Sequence, residues 1–195
     1  MAPAQASLLA KLDTQQRVRD FLTNAIASGR ASHAYLFLGA PGAGKLDAAW
    51  ALAQAFLCEQ DGCGSCDSCV RVARHTHPDV HYYTPESATG YLIAQTRELL
   101  DDVPLAPIRA KAKVYIIDRA EQLRANTANA LLKTLEEPPE GVMFILLGTS
   151  ADVMLPTIVS RCQCVPFRLV SPAVAAQAAV SYTHLRAHET LMNLV

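Results

Sequence analysis

The sequence predicts an α/β domain built on a mostly parallel sheet flanked by helices, with a small cysteine-rich insertion. Three observations carry this. Apolar runs at 34–38, 114–117 and 142–147 are continuous rather than alternating, as strands buried on both faces read. Helical periodicities separate them, which is the order of a parallel sheet with crossover helices. The first run passes directly into the glycine-rich GAPGAGK. A chain of 195 residues with 51% hydrophobic and 18% charged composition can bury one sizeable core.

In chain order, Val18, Phe21, Leu22, Ala25 and Ile26 recur at helical spacing, and Gly29 stands where a C-terminal cap belongs. After the first strand and its loop, Ala49, Leu52, Ala53 and Phe56 share one face of a second helix. The cysteine segment follows, then HPDVHYY and a helical stretch around Ile93, Arg97, Leu99 and Leu100. The second strand, 114–117, ends on Asp118. A helix with Ala128, Leu131, Leu132 and Leu135 on one side stops at Pro138 and Pro139, and leads into the third strand. No apolar run approaches the ~20 residues that span a bilayer, and the first residues lack the plan of a secretory signal, so a cytoplasmic location without membrane contact is expected. The formal net charge of −1 offers no broad basic field for nucleic acid.

Gly39 to Lys45 fits GxxxxGK, in which backbone N–H groups curl around phosphate oxygens and the lysine adds a point charge. Gly39, Gly42, Gly44 and Lys45 are the candidate nucleotide-binding residues, with Asp118 delivered to the same crevice as a metal partner. Two departures stand out. Leu46 occupies the position of the Ser or Thr whose hydroxyl holds Mg²⁺, and Arg119 follows Asp118 where a water-polarising Glu is usual. Glu121 is close in sequence but out of phase. The expectation is a loop that binds ATP weakly and does not hydrolyse it.

Cys58, Cys63, Cys66 and Cys69 give Cx4CxxCxxC, four thiolates able to close around one tetrahedral Zn²⁺. Four sulfurs leave no open position for water, so the expected role is structural. His75, His77 and His81 read as surface or capping residues rather than ligands. Nothing else in the sequence suggests electron transfer by an iron–sulfur cluster.

HAYLF at 33–37, the phosphate loop, the cysteine cluster, HPD at 77–79, KVYIID ending at Asp118, NALLKTLEEPP at 129–139 and SRC at 160–162 stand in one order. In that order, over about residues 10–170, the chain resembles the gamma and delta-prime clamp-loader subunits of bacterial DNA polymerase III. The resemblance implies an AAA+ core and partners of the gamma/tau and delta kinds. It also implies contact with the sliding clamp and primed DNA through a five-subunit complex. It makes Arg161 of SRC a catalytic arginine finger acting in trans at a neighbour's site, and it puts Thr149 at the sensor position. Leu46 and Arg119 favour the delta-prime type over an active gamma/tau-type ATPase. A stand-alone P-loop ATPase or kinase would need a replacement Mg²⁺ ligand and a substrate base. A zinc-containing DNA-binding module would need a basic recognition helix. The expected organisation is a core of 1–57 and 70–180, a zinc-binding insertion at 58–69, and a tail at 181–195 that matches nothing in the family and reads as non-native. By the same resemblance a helical lid and an oligomerisation domain are expected to follow in the native protein.

Overall fold

The computed structural model describes residues 7–87, 90–123 and 125–169. The expectations for 170–180 and for the tail lie outside these residues. Five strands form one wholly parallel sheet: β1 (Ala34–Leu38), β2 (Val80–Tyr83), β3 (Lys113–Ile117), β4 (Val142–Gly148) and β5 (Gln163–Pro166). Their spatial order is β2-β3-β4-β1-β5. The helices among the described residues are α1 (Gln16–Ala27), α2 (Lys45–Leu57), α3 (Asp67–Ala73), α4 (Ile93–Asp102), α5 (Ala125–Glu136) and α6 (Pro156–Val159).

The central strands read as unbroken apolar runs because both their faces are covered. Phe37, Val114, Ile116, Met143, Ile145 and Leu147 join Leu22 of α1 and Leu52 of α2 in one core. Their sequence neighbours Leu36, Tyr115, Ile117, Phe144 and Leu146 join Leu99 of α4 and Leu131 and Leu135 of α5 in the other. Strand side chains alternate between faces, so one run feeds two cores. Gly29, at φ +64°, closes α1: its N–H reaches Ile26 O and the Arg30 N–H reaches Ala25 O, as a left-handed cap should.

The sheet has two more strands than the three expected. Both additions are edges. β2 reads VHYY and is only half-buried, while β5 reads QCVP, so neither has the long apolar run that marked the centre. The short helices α3 and α6 were likewise not expected. Phe21, expected on the core face of α1, is 42% exposed, because α1 meets the sheet through Val18 and Leu22.

The order of the strands positions the site. β4 lies between β3 and β1, so the carboxyl ends of three adjacent strands deliver the phosphate loop, Asp118 and Thr149 to one crevice, where ligands bind in such sheets.

Candidate functional site

β1 ends at Leu38 and the chain turns through the phosphate loop into α2, which begins at Lys45. Gly42 and Gly44 hold φ values of +79° and +82°, and a Cβ at either would meet nothing within 4 Å. Glycine is needed there for its backbone conformation, not for space. At Gly39 the reason is the opposite: an added Cβ would lie 2.7 Å from Phe167 O and 2.9 Å from Phe167 Cβ.

A cavity of about 550 Å³ is lined by Gly42, Gly44, Lys45, Asp118 and Thr149, together with Leu46, Arg119 and Glu121. Of the six residues expected to bind nucleotide, only Gly39 lies outside this lining. It contributes its carbonyl, which accepts a hydrogen bond from Lys45 Nζ. Ala40 O accepts another at 3.0 Å. Burial lowers the Lys45 pKa from its ordinary value, against the opposing charges of Glu121 and Asp118.

Asp118 is held at the rim. Its Oδ1 accepts from the Arg119 N–H at 2.9 Å and its Oδ2 from the Tyr82 hydroxyl at 3.3 Å. The Tyr91 hydroxyl, whose pKa burial raises well above the ordinary phenol value, donates to the carbonyls of Tyr83 and Asp118. Arg119 takes a left-handed φ of +45°; its Nη2 donates to Thr84 Oγ1 at 3.0 Å and its Nε lies 4.0 Å from Asp118 Oδ2. Its side chain supplies no carboxylate to the crevice, and Leu46 presents an isobutyl group.

Glu121, set aside on sequence phase, does reach the cavity. A 3₁₀ turn at Ala120–Gln122 follows the left-handed Arg119, and near-threefold winding returns position 121 to the side of Asp118. The Asp-x-x-Glu spacing was the available signal, obscured by the expectation of an adjacent Glu. Glu121 Oε2 is buried and accepts no hydrogen bond from the described residues.

The four cysteines converge. All four sulfurs lie within 4.8 Å of one another, with Cys58–Cys63 at 3.6 Å, Cys58–Cys66 at 3.7 Å and Cys63–Cys69 at 4.0 Å. Tetrahedral Zn–S bonds of about 2.3 Å require sulfurs about 3.8 Å apart, so the cluster fits that ion and could hold it. Backbone N–H groups of Gln60, Cys63, Cys66 and Cys69 approach the sulfurs at 3.4 Å, which favours thiolates. Those of Ser65 and Cys66 bring the Cys63 thiol down to about 6, whereas burial raises Cys66 and Cys69.

The cysteine segment is fastened to the core. Gln54 of α2 is buried and donates to Cys69 O at 3.1 Å, and its Oε1 accepts from Leu8 N–H at 2.8 Å. Among the described residues no histidine joins the sulfurs. His77, however, is no surface residue: it is buried, and its Nδ1 accepts from the Asp79 N–H at 3.1 Å. The buried Asp79 in turn accepts from the backbone N–H groups of Ile108, Arg109 and Ala110. His75 stacks on Trp50 with centroids 4.0 Å apart, and His81 stacks on Tyr115 at 5.0 Å. His75 is exposed, as expected of a surface residue, whereas the packing of His77 and His81 is not revealed by sequence spacing.

Arg161 sits between α6 and β5, at the amino ends of the strands. Parallel pairing of Tyr35 with Gln163 and of Leu38 with Pro166 sets it at the opposite end of the sheet from its own phosphate loop. Three strand rises, on the order of 10 Å, intervene. Its Nε donates to Glu136 Oε1 at 2.7 Å, and Nη2 meets the same oxygen.

Comparison with known proteins agrees with this architecture. Residues 14–171 match the family described as DNA polymerase III, delta subunit. The chain is 42% identical over 163 residues to the Bacillus subtilis DNA polymerase III subunit delta', covering 82% of this chain and 49% of that one. It is also 42% identical over 152 residues to the Escherichia coli subunit tau, covering 76% and 23% respectively. A crystal structure of a DNA polymerase III gamma subunit-related protein from Thermotoga maritima superposes with a TM-score of 0.56 at 22% identity, covering 78% of this chain and 46% of that one. That likeness speaks for the fold. The chain spans about half the length of its delta' relative. With the family match running from α1 past the end of β5, the chain belongs to the DNA polymerase III delta-subunit family, of the clamp-loader type that includes delta' and gamma/tau.

Proposed function

We propose that this chain is the AAA+ part of a delta-prime-type clamp-loader subunit, with no ATP turnover of its own and an arginine that serves a neighbour. The carrying observation is a separation. The chain's nucleotide crevice and Arg161 lie at opposite ends of one sheet, so the guanidinium cannot reach its own crevice but is available to another subunit's. The crevice keeps a phosphate cradle in Gly42, Gly44 and Lys45. It lacks the hydroxyl that holds Mg²⁺ and the carboxylate that directly follows the strand-terminal Asp. Gamma/tau and delta subunits are the partners, and the sliding clamp and primed DNA are met through the complex in the cytoplasm. Asp118 and Thr149 complete the nucleotide site, where ATP is weakly bound.

Cys58, Cys63, Cys66 and Cys69 would hold one structural Zn²⁺, which closes a loop-rich segment too poor in apolar residues to fold alone. The insertion at 58–69 is its centre, and α3 carries it on to Ala73.

The test pairs two measurements. Purified chain should hydrolyse ATP no faster than background. In the full-length protein assembled with gamma-type and delta-type partners, Arg161→Ala should lower clamp- and DNA-stimulated hydrolysis while the assembly persists. An arginine finger contributes about 10³ to 10⁵ in rate in other NTPases. Turnover by the isolated chain that Lys45→Ala abolishes would favour an active gamma/tau-type or stand-alone ATPase instead.

A further inference from the structure

Arg161 is not a free side chain. Its guanidinium lies across the carboxyl ends of two helices, α5 and α6, where carbonyls lack intrahelical partners and the helix dipoles are negative. Nε and Nη2 both donate to Glu136 Oε1, and Nη1 donates to Thr157 O at 2.8 Å and more loosely to Ser160 Oγ at 3.2 Å. Glu136 belongs to the LEEPP segment and Arg161 to SRC, 25 residues apart, and the fold joins the two motifs in one ion pair.

A guanidinium presents one edge formed by Nε and Nη2 and another formed by Nη1 and Nη2. Glu136 occupies the first. The pair is only partly shielded, with side chains 31% and 48% exposed, so it contributes little to global stability. Its effect on orientation is larger, because a long flexible side chain loses freedom before, not during, contact with a ligand.

We propose that Glu136 is a positioning residue for the trans finger, holding the Nε–Nη2 edge of Arg161 while Thr157 O and Ser160 Oγ hold Nη1, so that the second Nη2 N–H faces the departing phosphate in a neighbouring subunit. This rests on the reading that Arg161 acts in trans. Thr157 O backs Nη1 from one side, which fixes the plane of the group. The contrasting role, a plain tie between α5 and α6, would act on stability and assembly rather than on kcat, and loss of either partner would break it.

The experiment is a double-mutant cycle in the full-length protein assembled with its gamma-type and delta-type partners, read as clamp- and DNA-stimulated ATP hydrolysis over a range of ATP concentrations. Glu136→Ala should lower kcat on the order of tenfold, the scale of effect expected of a slightly misplaced group, with KM for ATP close to wild type. Glu136→Gln should recover part of the loss, since its amide oxygen still accepts an N–H. On an Arg161→Ala background, Glu136→Ala should remove nothing further. If Arg161→Ala lowers kcat and Glu136→Ala leaves it unchanged, the positioning role falls and the trans reading stands. If Arg161→Ala has no effect, both fall. Equal losses from Glu136→Ala with and without Arg161 would overturn positioning by showing that Glu136 acts independently of Arg161, and failure of both Glu136 variants to assemble would overturn it in favour of a structural tie.

Discussion

At the scale of single residues, the crevice shows how much one side chain changes. Leu46 stands at the mouth of the cavity, where a threonine would offer an oxygen to Mg²⁺. Leu46→Thr should therefore make nucleotide affinity depend on Mg²⁺, as read by titrating a fluorescent ATP analogue with and without the ion. Identical affinities in the two conditions would mean that Leu46 is not what limits the metal. The loop, Leu46 and Arg119 were legible because they lie in contiguous motifs. Glu121 was not, because its placement depends on a left-handed Arg119 that no residue preference announces. Asp79 was also hidden: a short HPD string does not say that its carboxylate will collect three amides of the 108–110 loop. Burial pushes the Asp79 carboxyl up, but those donors outweigh it and leave its pKa below the ordinary value. A carboxylate lowered on folding stabilises the fold above its unfolded pKa of about 3.9, and that contribution is lost as pH falls through the lower folded value. Asp79→Asn should cost about 1–3 kcal/mol at neutral pH. Its Tm should also decline less steeply than wild type on acidification below about pH 5. Parallel Tm profiles would show that the carboxylate's charge is immaterial.

At the scale of elements, the sequence exposed the buried strands and the long helices, because continuous apolar runs and helical periodicity are strong signals. It concealed β2 and β5 because an edge strand needs neither a long apolar run nor strict alternation, and its pairing partner is distant in sequence. It concealed α3 because that helix starts at a cysteine: Cys66 is its N-cap, with Sγ accepting from the Cys69 N–H. Cx4CxxCxxC thus describes a loop and the first turn of a helix at once. One zinc per chain is expected by elemental analysis of metal-replete protein, and a metal-free result would remove the site. Cys66→Ser should release the metal and speed amide exchange through 58–73, leaving β1, β3 and β4 protected. Val72 of α3 packs into the α1/α2 core, so the exchange should spread into the carboxyl end of α2 and stop there. Exchange reaching the central strands would show that the module is an integral part of the domain.

At the scale of the whole molecule, the phosphate loop, the first turns and the exit of β5 meet at one point. Gln15, itself buried, donates through Nε2 to Ala43 O at 3.0 Å and to Arg168 O at 2.6 Å, and Phe167 N–H reaches Leu38 O. Gly39 lets β5 pass this closely, since Phe167 O already occupies the space a side chain would need. The loop is thus tied to the strand that begins beside Arg161, and the two ends of the sheet proposed to be functional share β5 as a common member. Gly39→Ala tests whether that tie sets the stability of the domain. The obstacle is backbone rather than the end of a flexible side chain, so the loop and β5 must move apart, at a cost of about 1–3 kcal/mol for an overpacked position. For a domain of this size each kcal/mol lowers Tm by about 2–4 °C, which differential scanning calorimetry resolves. Gly42→Ala is the matching control: it has open space and only its φ to strain, so it should disturb nucleotide binding without loosening β5. Amide exchange at 163–167 should accelerate in the first variant alone. Equal acceleration in both would show that any distortion of the loop, not the Gly39 contact, loosens β5, and acceleration in neither would show that β5 is held elsewhere.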